Sequence, residues 1–379
     1  MENPFSSGVF VSGEKFYDRK EIGHQIFEVL RSGENALLYG PRRYGKSSLA
    51  LQVIEQLSTE GHTCIYFDLM KVNSLGHLLQ EFTAAVYAAE NRRARSIRAF
   101  LTALKGLRPR VTMNQDGTPS IELDFASAPP TAASVEEALN LSERLAGKKR
   151  AIVVFDEFQE IAALSDKLPL ERIFRSAIQR QHKTNYLFLG SQTHLLKRMF
   201  MEATRPFYQS ATPVQLGKPP IEESRAFVRS RFRCCGVQAA PEAVKTILDA
   251  SENIPYYLQA LCATVWRRCV ENKTKAVTLE DAQAGIRTVL AQRRDLFEAL
   301  TSSLAAAQRQ LICALARERT AALSAEYRAR HRLDIYSTTA SAMKQLLEKG
   351  LAEQDNGLYR VADPFFEAYL KAPAAMVIE

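Results

Sequence analysis

The chain has 379 residues, enough for two or three domains, and 46% hydrophobic with 24% charged residues is the balance of an ordinary globular protein. No apolar stretch approaches the ~20 residues needed to cross a bilayer, and Met1-Glu2-Asn3-Pro4 lacks a basic-then-apolar leader, so no membrane partner and a cytoplasmic location are expected. The net charge of +8 is local: seven cations and no acid lie within residues 92–110 (Arg92, Arg93, Arg95, Arg98, Lys105, Arg108, Arg110), leaving the remainder near neutral.

In chain order, Asn35-Ala-Leu-Leu-Tyr39 is an apolar run that meets a Gly-Pro turn, and a helical pattern starts at Lys46 with Ala50, Val53, Ile54 and Leu57 on one face. Further strands are predicted at Cys64–Asp68, Ala151–Phe155 and Tyr186–Leu189, separated by helical segments, so the expected core is α/β: a three-layer parallel sheet with helices on both faces. Residues 92–130 interrupt this rhythm with the basic stretch and a β-hairpin whose turn is Asn114-Gln115-Asp116-Gly117. From Pro219-Pro220 the strands give way to a helical lid ending near Glu298. The tail then reads helix (305–317), helix (337–349) and hairpin around Asp355-Asn356-Gly357, the order of a winged helix. Its second helix would turn Ala340, Met343, Leu346 and Leu347 inward and Ser337, Ser341, Lys344 and Gln345 outward. The expected domains are 1–218 (core with the 92–130 insertion), 219–298 (lid) and 299–379 (winged helix). The six cysteines form no Cys-x-x-Cys pair and no zinc spacing, so reduced thiols are expected.

Chemistry concentrates at Gly40-Pro41-Arg42-Arg43-Tyr44-Gly45-Lys46-Ser47, followed by Ser48, which fits the phosphate-loop pattern between a predicted strand and helix. Its glycines let backbone N–H groups curl around phosphate oxygens, Lys46 would reach the β and γ phosphates of ATP or ADP, and the Ser47 hydroxyl would hold Mg²⁺. Asp156 and Glu157 end an apolar strand; Asp156 would hold the metal and Glu157 would polarise the attacking water, the plain alternative being acids that begin a solvated loop. Ser191, with Gln192 next, is the candidate sensor between the acid strand and the γ phosphate, or else a turn or helix cap.

With Phe16-Tyr17-Asp18-Arg19 ahead of the first strand, Phe155-Asp-Glu-Phe-Gln-Glu160, Ile254-Pro-Tyr-Tyr-Leu258 and Asp363-Pro-Phe-Phe366, the chain resembles the archaeal-type ATPase family of STAND/AAA+ NTPases, relatives of the origin-recognition ATPases. The resemblance implies that Phe16, Tyr17 and Arg19 line an adenine pocket and that Pro255 lets the lid sense the nucleotide. It departs in two places. Pro206-Phe207-Tyr208-Gln209-Ser210 stands where the family commonly has Tyr-Gly-Arg, with Arg205 the nearest substitute cation, and Asn253 stands where the lid motif usually has glycine.

These readings lead to a Mg-dependent ATPase, slow without a partner, that acts as a conformational switch on a protein partner or on itself. The alternative is a DNA-binding ATPase of the initiator or transposition-helper class that reads with its winged helix; a small-molecule kinase would need an acceptor pocket the sequence does not suggest. The predicted second helix brings only Lys344 and Lys349, although Arg328, Arg330, His331 and Arg332 precede it, so the 92–110 stretch is the better surface for an acidic partner unless it is a solvated helix face.

Overall fold

The computed structural model describes residues 3–6, 19–91, 104, 107, 109–113, 119–123, 125, 129–146, 149–164, 168–355 and 357–372. Phe16 and Tyr17, the cations Arg92 to Arg98, Lys105 and Arg108, and the Asn114–Gly117 turn lie outside them. The chain divides into two compact units, one ending at Gly217 and one starting at Lys218 that also takes in Asn3–Ser6.

The first unit runs through α1 (Lys20–Ser32), β1 (Ala36–Tyr39), α2 (Lys46–Thr59), β2 (Thr63–Asp68), α3 (Leu75–Asn91), β3 (Pro109–Met113), β4 (Pro119–Leu123), α4 (Ala132–Leu145), β5 (Ala151–Asp156), α5 (Leu170–Gln179), β6 (Thr184–Gly190), α6 (Thr193–Met201) and β7 (Thr212–Gln215). Five of these strands form one parallel sheet in the order β2-β5-β6-β1-β7. Every residue of β1, β5 and β6 is buried, which is why these strands read as unbroken apolar runs rather than alternating ones. One face packs Phe67, Phe155, Tyr186 and Phe188 against α3, α4 and α5 through Phe82, Val135 and Phe174, with Phe155 stacked on Phe82 at 5.6 Å between ring centres. Helix α2 lies against β2, β5 and β6 on the opposite face. Strand β2 is the exposed edge and alternates: Ile65 and Phe67 enter the aromatic layer, whereas Cys64, Tyr66 and Asp68 are half-buried and, by the two-residue period, point the other way.

Strand β7 is not evident from the sequence. It is four residues long, alternates in burial and holds Pro213, which lacks a donor and is tolerated because β7 is the other edge. The predicted insertion hairpin is present as β3 and β4, paired from Pro109↔Leu123 to Met113↔Pro119. Gln80 on α3 holds it, its amide donating to the Ile121 carbonyl and accepting from the Leu123 N–H, both at 2.7 Å.

Parallel pairing brings all five carboxyl ends to one rim, with Asp68 opposite Asp156 and Tyr39 opposite both Gly190 and Gln215. Strand β1 sits between β6 and β7, but the chain leaves it for β2 at the far edge. That reversal makes the carboxyl end of β1 the switch point at which open α/β sheets bind ligands.

The second unit is helical, with α7 (Ile221–Arg233), α8 (Pro241–Ala250), α9 (Pro255–Glu271), α10 (Leu279–Gln292) and α11 (Arg294–Ser302), plus a two-residue parallel pair, β8 (Gln238–Ala239) with β9 (Ala276–Val277), that the sequence did not signal. Phe5 packs on Phe232 and Phe227 of α7, and Ser6 N–H donates to Gln259 of α9. The tail comprises α12 (Ala306–Arg317), α13 (Ala325–Arg330), α14 (Tyr336–Glu348), the antiparallel pair β10 (Ala352–Asp355) and β11 (Leu358–Val361), and α15 (Pro364–Lys371). On α14, Met343 and Leu346 are buried and Ser337, Ser341, Lys344 and Gln345 exposed, as the periodicity predicts, but Ala340 and Leu347 are only half-buried and Thr339 and Ala342 take the inward places instead. Asp363 caps α15 by accepting from the N–H groups of Phe365 and Phe366.

A buried ionic cluster crosses this unit. Arg360 on β11, 1% exposed, is bonded to Glu252, in the middle of the turn after α8, and to Glu353 on β10. Lys218 and Arg319 also reach Glu252. Its carboxyl is held below the usual range: burial raises it, but Arg360, Lys218 and Arg319 together outweigh burial.

Candidate functional site

The rim of the first unit's sheet carries the phosphate loop. Gly40 follows β1 so closely against Leu216 that a Cβ there would stand 2.4 Å from the Leu216 carbonyl oxygen, so only glycine fits. Gly45, with φ +91°, is the N-cap of α2, and a Cβ there would meet open space. Arg43 is also left-handed (φ 69°), so the loop curls as the pattern demands. Lys46 is buried and folds back on the loop, its ammonium donating at 2.8 Å to the carbonyls of Gly40 and Pro41. Tyr44 is buried, Arg42 and Arg43 are exposed, and Pro41, Ser47 and Ser48 are half-buried.

Asp156 ends β5 with 5% exposure, and burial pushes its carboxyl up despite the hydroxyls that donate to it. The Ser47 hydroxyl donates to its Oδ2 at 2.6 Å and the Tyr66 hydroxyl to the same oxygen, while Glu157 N–H donates to Oδ1 at 2.9 Å. Burial first, and then the Asp156 charge, hold the Tyr66 phenol protonated far above its ordinary range, so it serves as a donor. Asp68, opposite Asp156, turns its own carboxylate to Met70 N–H at 3.0 Å to cap the turn Leu69–Lys71.

Glu157 has φ 51°, a conformation that costs a non-glycine residue of order 1–3 kcal/mol and is kept where the surroundings over-determine it. Here the surroundings are three donors to one oxygen. Its Oε2 accepts from Gln159 Nε2 at 2.6 Å, from Ser191 N–H at 2.9 Å and from Ser191 Oγ at 2.8 Å. Burial raises this carboxyl, yet the Gln159 amide, the Lys46 charge and the Ser191 donors bring it below its ordinary value. Gln159, 2% exposed, lies against Gly190: a Cβ there would stand 2.2 Å from Gln159 Oε1 and push that amide out of its present place. Arg42 Nε donates to Ser191 Oγ at 3.3 Å, so the loop, the sensor candidate and Glu157 form one chain of hydrogen bonds.

Lys46, Ser47, Asp156, Glu157 and Ser191 are therefore brought together, and Tyr66 and Gln159 join them without having been singled out in the sequence. Arg19 is buried, left-handed (φ 75°) and bonded to the Gly217 carbonyl at 2.6 Å. Arg205 is bonded to Glu171. In the second unit Pro255 opens α9, and Asn253 adopts the left-handed conformation (φ 57°) of the glycine it replaces, held by its amide to the Pro219 carbonyl at 2.7 Å. Among the described residues no cluster of three metal-ligating His, Cys, Asp or Glu occurs, but a serine hydroxyl beside a carboxylate at a phosphate loop is the hard oxygen pair that suits Mg²⁺.

No curated protein matches the chain by sequence. Among solved structures, the Walker-type ATPase PABY2304 of Pyrococcus abyssi superposes with a TM-score of 0.65 at 17% identity, over 95% of this chain and 97% of that one. The ORC2 protein of Aeropyrum pernix, in ADPNP–ADP complexes, gives 0.55 at 14% over 95% and 90%, and the ORC1 protein of Aeropyrum pernix, in complex with DNA, gives 0.53 at 13% over 94% and 93%. At these identities the likeness is one of fold. Residues 295–372 match the family described as a probable winged helix domain. Residues 16–261 match the ATPase domain found predominantly in Archaea, and with the phosphate loop at the head of α2 the chain belongs to that family of P-loop ATPases.

Proposed function

We propose that the chain binds ATP with Mg²⁺ at the phosphate loop and hydrolyses it, using the two nucleotide states as a conformational switch. The observation that carries this reading is the convergence of the loop, Asp156 and Glu157 on one rim, with Glu157 fixed through Ser191. The loop N–H groups and Lys46, whose ammonium already lies within the loop, bind the phosphates. Ser47 and Asp156 hold the metal, which when bound neutralises charge on the phosphate oxygens. Glu157 orients and deprotonates water, and Ser191 couples its carboxylate to Arg42 of the loop. With Arg205 engaged by Glu171, a cation for the transferring phosphate is left to a partner, and basal turnover is slow.

The test pairs Lys46→Ala, expected to lose nucleotide affinity, with Glu157→Gln, expected to keep affinity and lose phosphate release. Equal turnover in wild type and Glu157→Gln would remove Glu157 as the base. For the switch, amide exchange with ADP and with a non-hydrolysable ATP analogue should differ within residues 218–372; identical protection would leave an ATPase without a switch.

DNA is the second reading, favoured by the winged helix and by the DNA complex of the Aeropyrum ORC1 neighbour. Against it, Lys344 pairs with Glu348, and Arg330 and His331 both bind Glu318. Duplex DNA titrated at two salt concentrations distinguishes the readings: salt-sensitive binding favours DNA, and its absence favours a protein partner.

A further inference from the structure

We propose that Tyr66 is a positioning residue of the metal site, holding the Asp156 carboxylate so that it sets the affinity for the divalent cation rather than for the nucleotide; this rests on the reading that Asp156 and Ser47 hold that cation. Strand alternation turns Tyr66 to the face on which α2 lies, the same side as Ser47 in the first turn of that helix. In register Tyr66 lies opposite Val154, two residues before Asp156, and the length of the phenol spans that offset so that its hydroxyl meets Oδ2. The Ser47 hydroxyl arrives at the same oxygen, so two donors fix one side of the carboxylate, and among the described contacts Oδ1 takes only the Glu157 N–H.

The two hydroxyls differ in kind. Ser47 belongs to the nucleotide loop and its oxygen is itself a ligand candidate, whereas Tyr66 comes from strand β2 of the sheet, its hydroxyl also touching that of Ser47. Tyr66 is therefore the donor anchored in the sheet rather than in the loop. Asp68, the acid nearest in register, would repel Asp156 if it turned inward, but it is occupied in capping the Leu69–Lys71 turn. A carboxylate next to a like charge in a buried site needs such an anchor to keep one rotamer, and donors that orient a metal's carboxylate ligand tune its affinity.

The experiment uses the full chain and Mn²⁺ as the paramagnetic probe, titrated into the complex with ADP and read by the electron spin resonance of free Mn²⁺. ADP affinity is measured separately in EDTA. Tyr66→Phe keeps the ring and removes the donor. It should weaken Mn²⁺ about tenfold, leave metal-free ADP affinity within about twofold, and have its ATPase restored by excess Mg²⁺. Asp156→Asn is the control and should weaken Mn²⁺ further. If Asp156→Asn weakens Mn²⁺ and Tyr66→Phe does not, Tyr66 does not position the site and the proposal falls alone. If Asp156→Asn leaves Mn²⁺ unchanged, the metal assignment of Asp156 falls and takes the proposal with it. If Tyr66→Phe weakens metal-free ADP to the same degree as Mn²⁺, the residue is structural and the proposal is wrong.

Discussion

Ser191 gives both its backbone N–H and its hydroxyl to the same oxygen of Glu157, at 2.9 and 2.8 Å. A carboxylate gripped in this way has its direction set by the end of β6, one strand away from its own. Removing the hydroxyl leaves the N–H in place and loosens the grip. Ser191→Ala is therefore expected to lower turnover about tenfold while nucleotide affinity stays within about twofold, since small misplacement of a base costs rate rather than binding. Steady-state phosphate release alongside equilibrium binding of a fluorescent ATP analogue separates the two quantities.

Glu157 itself carries the larger effect. Glu157→Gln should reduce single-turnover hydrolysis at least about a hundredfold, the lower end of what general-base catalysis supplies. Bound ATP should then survive gel filtration. Release of product at the wild-type rate would place the base elsewhere.

Gly190 and Gln159 should behave as a coupled pair. A methyl at 190 would overlap Gln159 Oε1 and stand 2.6 Å from Leu196 Cδ1, and overpacking of this kind costs about 1–3 kcal/mol. Gly190→Ala should lower the unfolding midpoint, and adding Gln159→Ala should recover part of that loss, a non-additivity measurable by urea denaturation of the four chains in the cycle. Strict additivity would mean that the two residues do not share the space.

Arg360 is the stability test for the second unit. Truncation to alanine would leave the half-buried Glu353 without its cation while Glu252 keeps Lys218 and Arg319, so the loss should fall toward the lower end of the about 3–5 kcal/mol typical of breaking a buried pair. Arg360→Ala should therefore unfold residues 218–372 at markedly lower urea. Arg360→Met with Glu353→Gln should cost less than Arg360→Ala, because it removes the stranded charge along with its partner and leaves Glu252 paired with Lys218 and Arg319. An Arg360→Ala chain as stable as wild type would show that water already relaxes the cluster.

The sheet was legible where strands are buried on both faces. The apolar runs within Asn35–Tyr39, at Ala151–Phe155 and at Tyr186–Leu189 announce the buried strands, while the polar ends Asp156 and Thr184-Asn185 are what the runs leave out. Edge strand β7 was hidden, since half its side chains are exposed and Pro213 reads as a break. The phosphate loop, Asp156 and Glu157 were legible because their chemistry is written in consecutive residues. Tyr66 and Gln159 were not: Tyr66 reaches Asp156 across a strand register, and Gln159 depends on a glycine thirty-one positions away. Spacing along one strand carries no information about either. The left-handed turn at Glu157 was also invisible, because glutamate does not advertise that conformation.

Gly40 meets Leu216 mainly through main chain: its missing Cβ would fall on a carbonyl, and Leu216 N–H in turn bonds the Tyr39 carbonyl at 2.8 Å. Side-chain clashes are absorbed by choosing another rotamer, but a main-chain clash has no such escape. The loop's opening residue and the end of β7 are therefore locked as a single casting. A library varying residues 40–44 should therefore return glycine alone at position 40, and a side chain there would be tolerated only if the main chain at Leu216 were rebuilt with it.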